Sequence, residues 1–149
     1  MEWLKALQGT VVGLDTAPLI YFIEKHPKYT SLVRPFFEAV ARGDIQAVTS
    51  VLTLTEVLVH PLRQGNHALA GQYSRILLNA QNLTALPVSP FIAAEAARIR
   101  ALHGARTPDA IQLATALTGR ATAFLTNDEG LASIPGLRLI HLDPLLRHP

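Results

Sequence analysis

Apolar and polar positions along the chain alternate between two rhythms. Thr10-Val11-Val12-Gly13-Leu14 is a short apolar run ending at Asp15, the signature of a buried strand, and Thr16 to Glu24 then reads as a helix with Pro18 near its first turn. Thr30 to Arg42 has apolar residues at Leu32, Val33, Phe36, Phe37 and Val40, a helical spacing that Gly43-Asp44 closes. Ile45 to Val59 alternates like a strand but is too long and too apolar for one. It divides at Ser50, with a strand before it and a helix after it that Ser50 caps. Further along, helices are predicted over His67 to Asn79 and Pro90 to Leu102, the latter capped by Ser89 and stopped by Gly104, with a strand at Leu83 to Leu86 between them. Thr107-Pro108-Asp109 opens a helix that continues from Ala110 to Leu117, with Thr107 as cap, Pro108 at the first helical position and an acid in the first turn. A strand at Ala121 to Leu125, a brief helix ending at Ser133 and a strand at Leu137 to Leu142 complete the chain. This alternation predicts an α/β fold: a parallel sheet covered on both faces, with ligands at the carboxyl ends of its strands.

Composition narrows the setting. A length of 149 residues predicts a single domain over 1–149 that can bury a core, and the lack of cysteine excludes disulfides, iron–sulfur clusters and thiolate zinc sites. A reducing cytoplasm is the expected location, since the N-terminus lacks a signal-peptide pattern and no apolar run is long enough to span a bilayer. Only 16% of residues are charged and the formal net charge is +2, so a carboxylate in an apolar context calls for a reason. Between Glu56 and Glu95 there is no acid, while His60, Arg63, His67 and Arg75 lie there; a solvated helical face accounts for that run.

Four acids occupy telling places. Asp15 follows the first strand, Asp128 follows the strand ending at Leu125, Asp109 opens a helix, and Glu56 lies inside the apolar run Leu52 to Val59. Three have plain structural readings: Asp15 as a helix cap, Asp109 as a first-turn acid, Asp128 as a cap or turn residue. An ionised Glu56 must be solvated, paired or metal-bound, and His60, one helical turn on, is its nearest possible partner. Four carboxylates at one sheet edge would repel one another, and a divalent cation relieves that repulsion. Magnesium or manganese prefers such hard oxygen ligands, shares its shell with phosphate and activates water, so the chemistry points to metal-assisted phosphoryl transfer.

The stretches Gly13-Leu14-Asp15-Thr16-Ala17-Pro18-Leu19-Ile20, Thr53-Leu54-Thr55-Glu56-Val57-Leu58, Thr107 to Ala116 and Leu125-Thr126-Asn127-Asp128 resemble, in order and spacing, the four motifs of PIN-domain ribonucleases. The compact length most resembles the VapC-type toxins of bacterial toxin–antitoxin pairs. The resemblance implies a Rossmann-like α/β/α sandwich and an endoribonuclease using Mg2+ or Mn2+. It further implies that Asp15, Glu56, Asp109 and Asp128 form the acidic metal site, with Asp128 in direct or outer support. Thr16 and Thr126 would support the site through their hydroxyls, and Asn127 would orient a neighbouring carboxylate. Ala17 departs from the family, which often has a polar residue there. The implied partners are an RNA substrate, a small antitoxin protein and a second copy of the chain.

Other chemistries lack their residues. A haloacid-dehalogenase-like phosphatase needs an acid where Ala17 stands, and a receiver domain needs a late lysine, whereas the last one is Lys28. Neither a dinucleotide or phosphate-binding glycine fingerprint nor a nucleophile elbow is present. The six histidines never pair at zinc-protease spacing and read as surface or cap residues; Asp143, before Pro144, reads as a turn residue. The alternatives are a PIN-fold nuclease of RNA processing, or a PIN-fold binding or regulatory module of weak activity. The apolar segment Leu19 to Ile23 serves either the core or such a partner surface.

Overall fold

The computed structural model describes residues 1–148. Its order is α1 (Glu2–Lys5), β1 (Val11–Leu14), α2 (Thr16–Ile23), α3 (Thr30–Arg42), β2 (Gln46–Ser50), α4 (Val51–Arg63), α5 (His67–Asn79), β3 (Leu83–Leu86), α6 (Pro90–His103), α7 (Thr107–Thr118), β4 (Ala123–Thr126), β5 (Arg138–His141) and α8 (Leu142–Arg147). The five strands pair in parallel in the order β3-β2-β1-β4-β5. Consecutive strands step outward from β1 to β3, and the chain then returns to the other side of β1 to add β4 and β5. The direction of winding therefore reverses at β1/β4, where the connections leaving the two strands diverge and open a crevice at their carboxyl ends.

Parallel pairing requires crossovers, and the crossover helices bury both faces of the sheet. Side chains alternate accordingly. Val12, Leu14, Ala47, Ala123 and Leu125 enter the core that includes Leu19, Val33, Phe36 and Tyr73, whereas Val48 and Phe124 enter a second core with Ile92, Ile99, Ala110 and Leu113. Leu19 and Ile23 are buried, and Ile20, Tyr21 and Phe22 pack against the first core, so the apolar start of α2 serves the interior. No helix among the described residues is long and apolar enough to cross a membrane.

The local signals act as expected at most boundaries. Ser50 Oγ accepts from the Leu52 amide at 3.1 Å, Ser89 Oγ accepts from the Ile92 amide at 3.1 Å, and Gly43 and Gly104 end α3 and α6 in the left-handed conformation. Four expectations differ. The cap of α7 is Arg106 rather than Thr107, which is already helical, and no side chain caps that end. The brief helix before Ser133 is a turn. Asp128 Oδ1 accepts from the Gly130 amide at 2.9 Å, and Gly136 at φ 83° redirects the chain, leaving too few residues for a helix. Leu142 opens α8 instead of closing β5, and Asp143 lies in its first turn, taking a hydrogen bond from Tyr29 and an ion pair from Lys28. The short α1 has no counterpart in the predicted elements.

Gly13 sits where α7 presses on the sheet. A Cβ there would lie 2.6 Å from both Ala116 Cβ and Phe124 Cδ2. Neither neighbour can yield, one being a helix-borne methyl and the other a fully buried ring. Gly13→Ala should therefore lower the unfolding free energy by about 1–3 kcal/mol, the usual cost of overpacking, as measured by urea denaturation.

Candidate active site

The site is built on the carboxyl ends of β1 and β4. Asp15 remains within the sheet ladder, its amide donating to Leu125 O at 3.0 Å, while its side chain turns to cap α2 by accepting from the Thr16 amide at 2.9 Å. Its second oxygen accepts from Thr126 Oγ1 at 2.6 Å. Thr126, fully buried at the end of β4, also accepts from the Asp128 amide at 3.0 Å, which fixes the turn carrying Asp128. One threonine thus joins the acids that follow β1 and β4.

Asp15 has its carboxyl pKa raised above the ordinary value. Burial is the largest cause, the hydrogen bonds from Thr126 and Thr16 oppose it, and the nearby charges of Asp109 and Asp128 raise it further. These three aspartates therefore share one electrostatic neighbourhood. Asp109, in the first turn of α7, pairs with Arg106 Nε at 3.2 Å and faces, with Asp128, His103 and Arg106, a cleft of about 290 Å3.

Glu56 stands apart. It is exposed on α4, and Thr16 Oγ1 donates to its Oε2 at 2.9 Å. Solvent and Thr16 answer the need of its charge, so the sequence-level alternative of a His60 partner is not the contact formed. Thr16 bridges the two acids, its amide serving Asp15 and its hydroxyl Glu56. Asn127 donates through Nδ2 to Tyr21 Oη at 3.1 Å rather than to a carboxylate, and its Oδ1 is buried without a protein partner. Among the described residues, no three His, Cys, Asp or Glu side chains converge closely enough to hold a metal ion.

Sequence reasoning missed the buried polar brace beneath the acids. Gln112 of α7 donates to Thr53 Oγ1 at 2.8 Å and accepts from the Ser50 amide at 3.3 Å; Thr49 Oγ1 donates to Leu14 O at 2.8 Å and lies 2.8 Å from Thr53 Oγ1. Gln112 is 4% exposed and Thr49 2%, and the group ties α7, α4, β1 and β2 together one turn behind Asp109 and next to Asp15. Thr53 and Gln112, polar residues inside two of the motif stretches, were its trace in the sequence.

The model of the PIN domain matches residues 12–137, nearly the whole span from β1 to the start of β5. The chain belongs to the PIN domain family. Solved structures with the same fold include a toxin–antitoxin complex from Klebsiella pneumoniae, 23% identical with a TM-score of 0.61, covering 87% of this chain and 95% of that one. VapBC2 from Rickettsia felis bound to a DNA fragment from its promoter is 20% identical with a TM-score of 0.66, covering 88% and 98%. FitAcB from Neisseria gonorrhoeae is 17% identical with a TM-score of 0.64, covering 93% and 99%. No curated protein matches the sequence significantly.

PIN domains are nucleases that generally use divalent metal ions. The donor chemistry of this PIN domain suits such an ion, because Asp15, Asp109 and Asp128 are hard oxygen donors and the charges of the latter two already disfavour ionisation of the first. Its geometry is not a closed ligand set, and a guanidinium rests on Asp109 where a cation would be welcome.

Two outcomes follow. Gln112→Leu keeps the volume but strips the Ser50 amide of its side-chain acceptor, so the fold should lose about 1–3 kcal/mol in chemical denaturation. Folded Asp15 holds its proton more tightly than the unfolded chain does; its contribution to stability is present at acid pH and lost as pH rises through the raised pKa. In metal-free buffer Asp15→Asn should therefore melt higher than the native protein near pH 7, and the difference should shrink on acidification toward the ordinary aspartate pKa of about 3.9.

Proposed function

We propose that this PIN domain is a Mg2+- or Mn2+-dependent endoribonuclease and the toxin of a toxin–antitoxin pair, acting in the cytoplasm. The observation that carries the reading is the half-buried Asp15 carboxylate at the β1/β4 crevice of a PIN fold, held by Thr16 and Thr126, with Asp109 and Asp128 close enough to raise its pKa. Asp15, Asp109 and Asp128 would hold the ion, with Glu56 reached through Thr16. When bound, the ion would supply an activated water and charge stabilisation on the phosphodiester.

The residues of the chain do the positioning. Thr126 and the Thr16 amide hold both Asp15 oxygens, so that carboxylate points one way without rearrangement. Glu56, exposed and hydrogen-bonded by Thr16, can accept a proton at the rim of the site. Net hydrolysis adds water across the P–O3′ bond and leaves 3′-hydroxyl and 5′-phosphate ends. The chain's 13 basic side chains outnumber its 11 acids, a formal net charge of +2 that attracts a polyanion weakly. Single-stranded or loop RNA enters a cleft more easily than an A-form duplex.

The toxin–antitoxin neighbours support a small antitoxin protein as partner, and the family resemblance supports a homodimer. A second reading, a PIN-fold binding module of weak activity, draws on the structural duties of the same acids: Asp15 caps α2, Asp109 sits in a first turn and Asp128 closes a turn. The two readings separate in one experiment. For the nuclease, Mn2+ at about a hundredfold excess over its Kd should stabilise the fold by about 2.7 kcal/mol. Asp15→Asn and Asp109→Asn should each abolish that gain and slow cleavage of a single-stranded RNA at least about a hundredfold, the upper end of what even outer-sphere metal partners cost. Undiminished cleavage in both variants, or no stabilisation of the native protein by metal, would favour the binding module.

A further inference from the structure

Arg106 is poorly explained by the helix it begins. It occupies the cap position of α7, where a short side-chain oxygen normally satisfies the free amides, and its side chain caps none of them. Its guanidinium also sits at the positive end of the helix dipole, where a cation is disfavoured. The link before it is firmly held: Gly104 ends α6 at φ 71°, and Arg100 Nε donates to Ala105 O at 3.1 Å. A braced backbone thus presents an arginine whose side chain is 78% exposed, at the rim of the cleft that Asp109, Asp128 and His103 also line.

Its contact there is slight. Arg106 uses Nε on one Asp109 oxygen at 3.2 Å, and Asp109 itself is 24% exposed. A guanidinium has five N–H donors in a planar fork that matches phosphate oxygens in pairs, so this single bond uses little of its capacity. Exposed ion pairs of this kind are weak and easily exchanged.

We propose that Arg106 is a positioning residue with two alternating partners: it neutralises Asp109 while the acids lack a cation, and it grips the substrate's phosphate backbone once a divalent cation takes its place. This rests on the nuclease reading above. A cation at Asp109 removes the charge that holds the guanidinium, and the freed fork lies beside the same cleft, one helical turn from the acid. The residue thereby keeps the acidic edge from standing uncompensated and supplies a phosphate contact next to the reacting bond.

The two roles predict effects of opposite sign. In the otherwise native protein, Arg106→Ala should bind Mn2+ about two- to fivefold more tightly by calorimetry, the equivalent of losing an exposed ion-pair competitor. RNA binding is read in the Asp109→Asn background, which stands for the neutralised acid and is not expected to cleave. There, adding Arg106→Ala should weaken binding of a labelled single-stranded RNA and reduce the slope of log affinity against log salt by about 0.7, one phosphate contact on a single strand. Arg106→Lys, keeping a charge without the fork, should retain most of the slope but lose affinity. Arg34→Ala, which removes one guanidinium from an exposed pair with Glu38 on α3, should change neither measurement. If Arg106→Ala weakens Mn2+ binding, or tracks Arg34→Ala in both assays while the native protein binds metal and RNA, the Arg106 inference is overturned and the nuclease reading stands. If the native protein binds no Mn2+, the nuclease reading fails and takes this inference with it.

Discussion

A carboxylate withdrawn from water beside two others is costly, and the architecture around Asp15 is organised by how that cost is met. Burial and the charges of Asp109 and Asp128 raise its pKa, while one backbone amide and one threonine hydroxyl pull the other way. Both stabilising donors come from the fold itself. The Thr16 amide is an orphan of the first turn of α2, and the Thr126 hydroxyl is the last side chain of the neighbouring parallel strand. An acid at that position needs both a helix starting immediately after β1 and a strand ending beside it. The reversal of winding at β1/β4 provides the two together, and it opens the crevice where a ligand can approach.

The remaining acids reach this edge through packing. Asp109 is carried by α7, which lies against β1 and β2 closely enough that Gly13 has no room for a methyl group. Gln112, one turn further along α7, hydrogen-bonds to α4 and to the end of β2, so the helix bearing Asp109 and the helix bearing Glu56 share one buried polar clamp. Such a clamp is stable only when each member is satisfied, which makes the relative placement of the two helices specific. Glu56 consequently sits at the rim, joined to Asp15 by Thr16 alone.

Much of this was legible in the sequence because the underlying signals are local. The strand–helix alternation, the caps at Ser50 and Ser89, the glycine stops at Gly43 and Gly104 and the acids at strand ends depend on residues a few positions apart. The departures occur where local signals conflict or longer-range contacts prevail. Thr107 has the chemistry of a cap, yet the chain leaving Gly104, with Arg100 bonded to Ala105 O, enters the helix one residue earlier, at Arg106. Asp143 before Pro144 has the signature of a turn, but the buried Tyr29, distant in sequence, draws it into α8. Where a brief helix is expected after Asp128, the Asp128–Gly130 bond turns the chain instead.

The sequence by itself determined the α/β class and most element boundaries, because periodicity and capping chemistry are written in neighbouring residues. Only the tertiary structure decided that β1 lies at the centre of the sheet, that Thr16 rather than His60 meets Glu56, that Asn127 turns to Tyr21, and that Arg106 stands on Asp109. Those outcomes depend on strand order and on which side chains meet across the fold. Parallel pairing brings together residues far apart in the chain, and a sequence pattern of period two or 3.6 carries no information about which distant partner will be there.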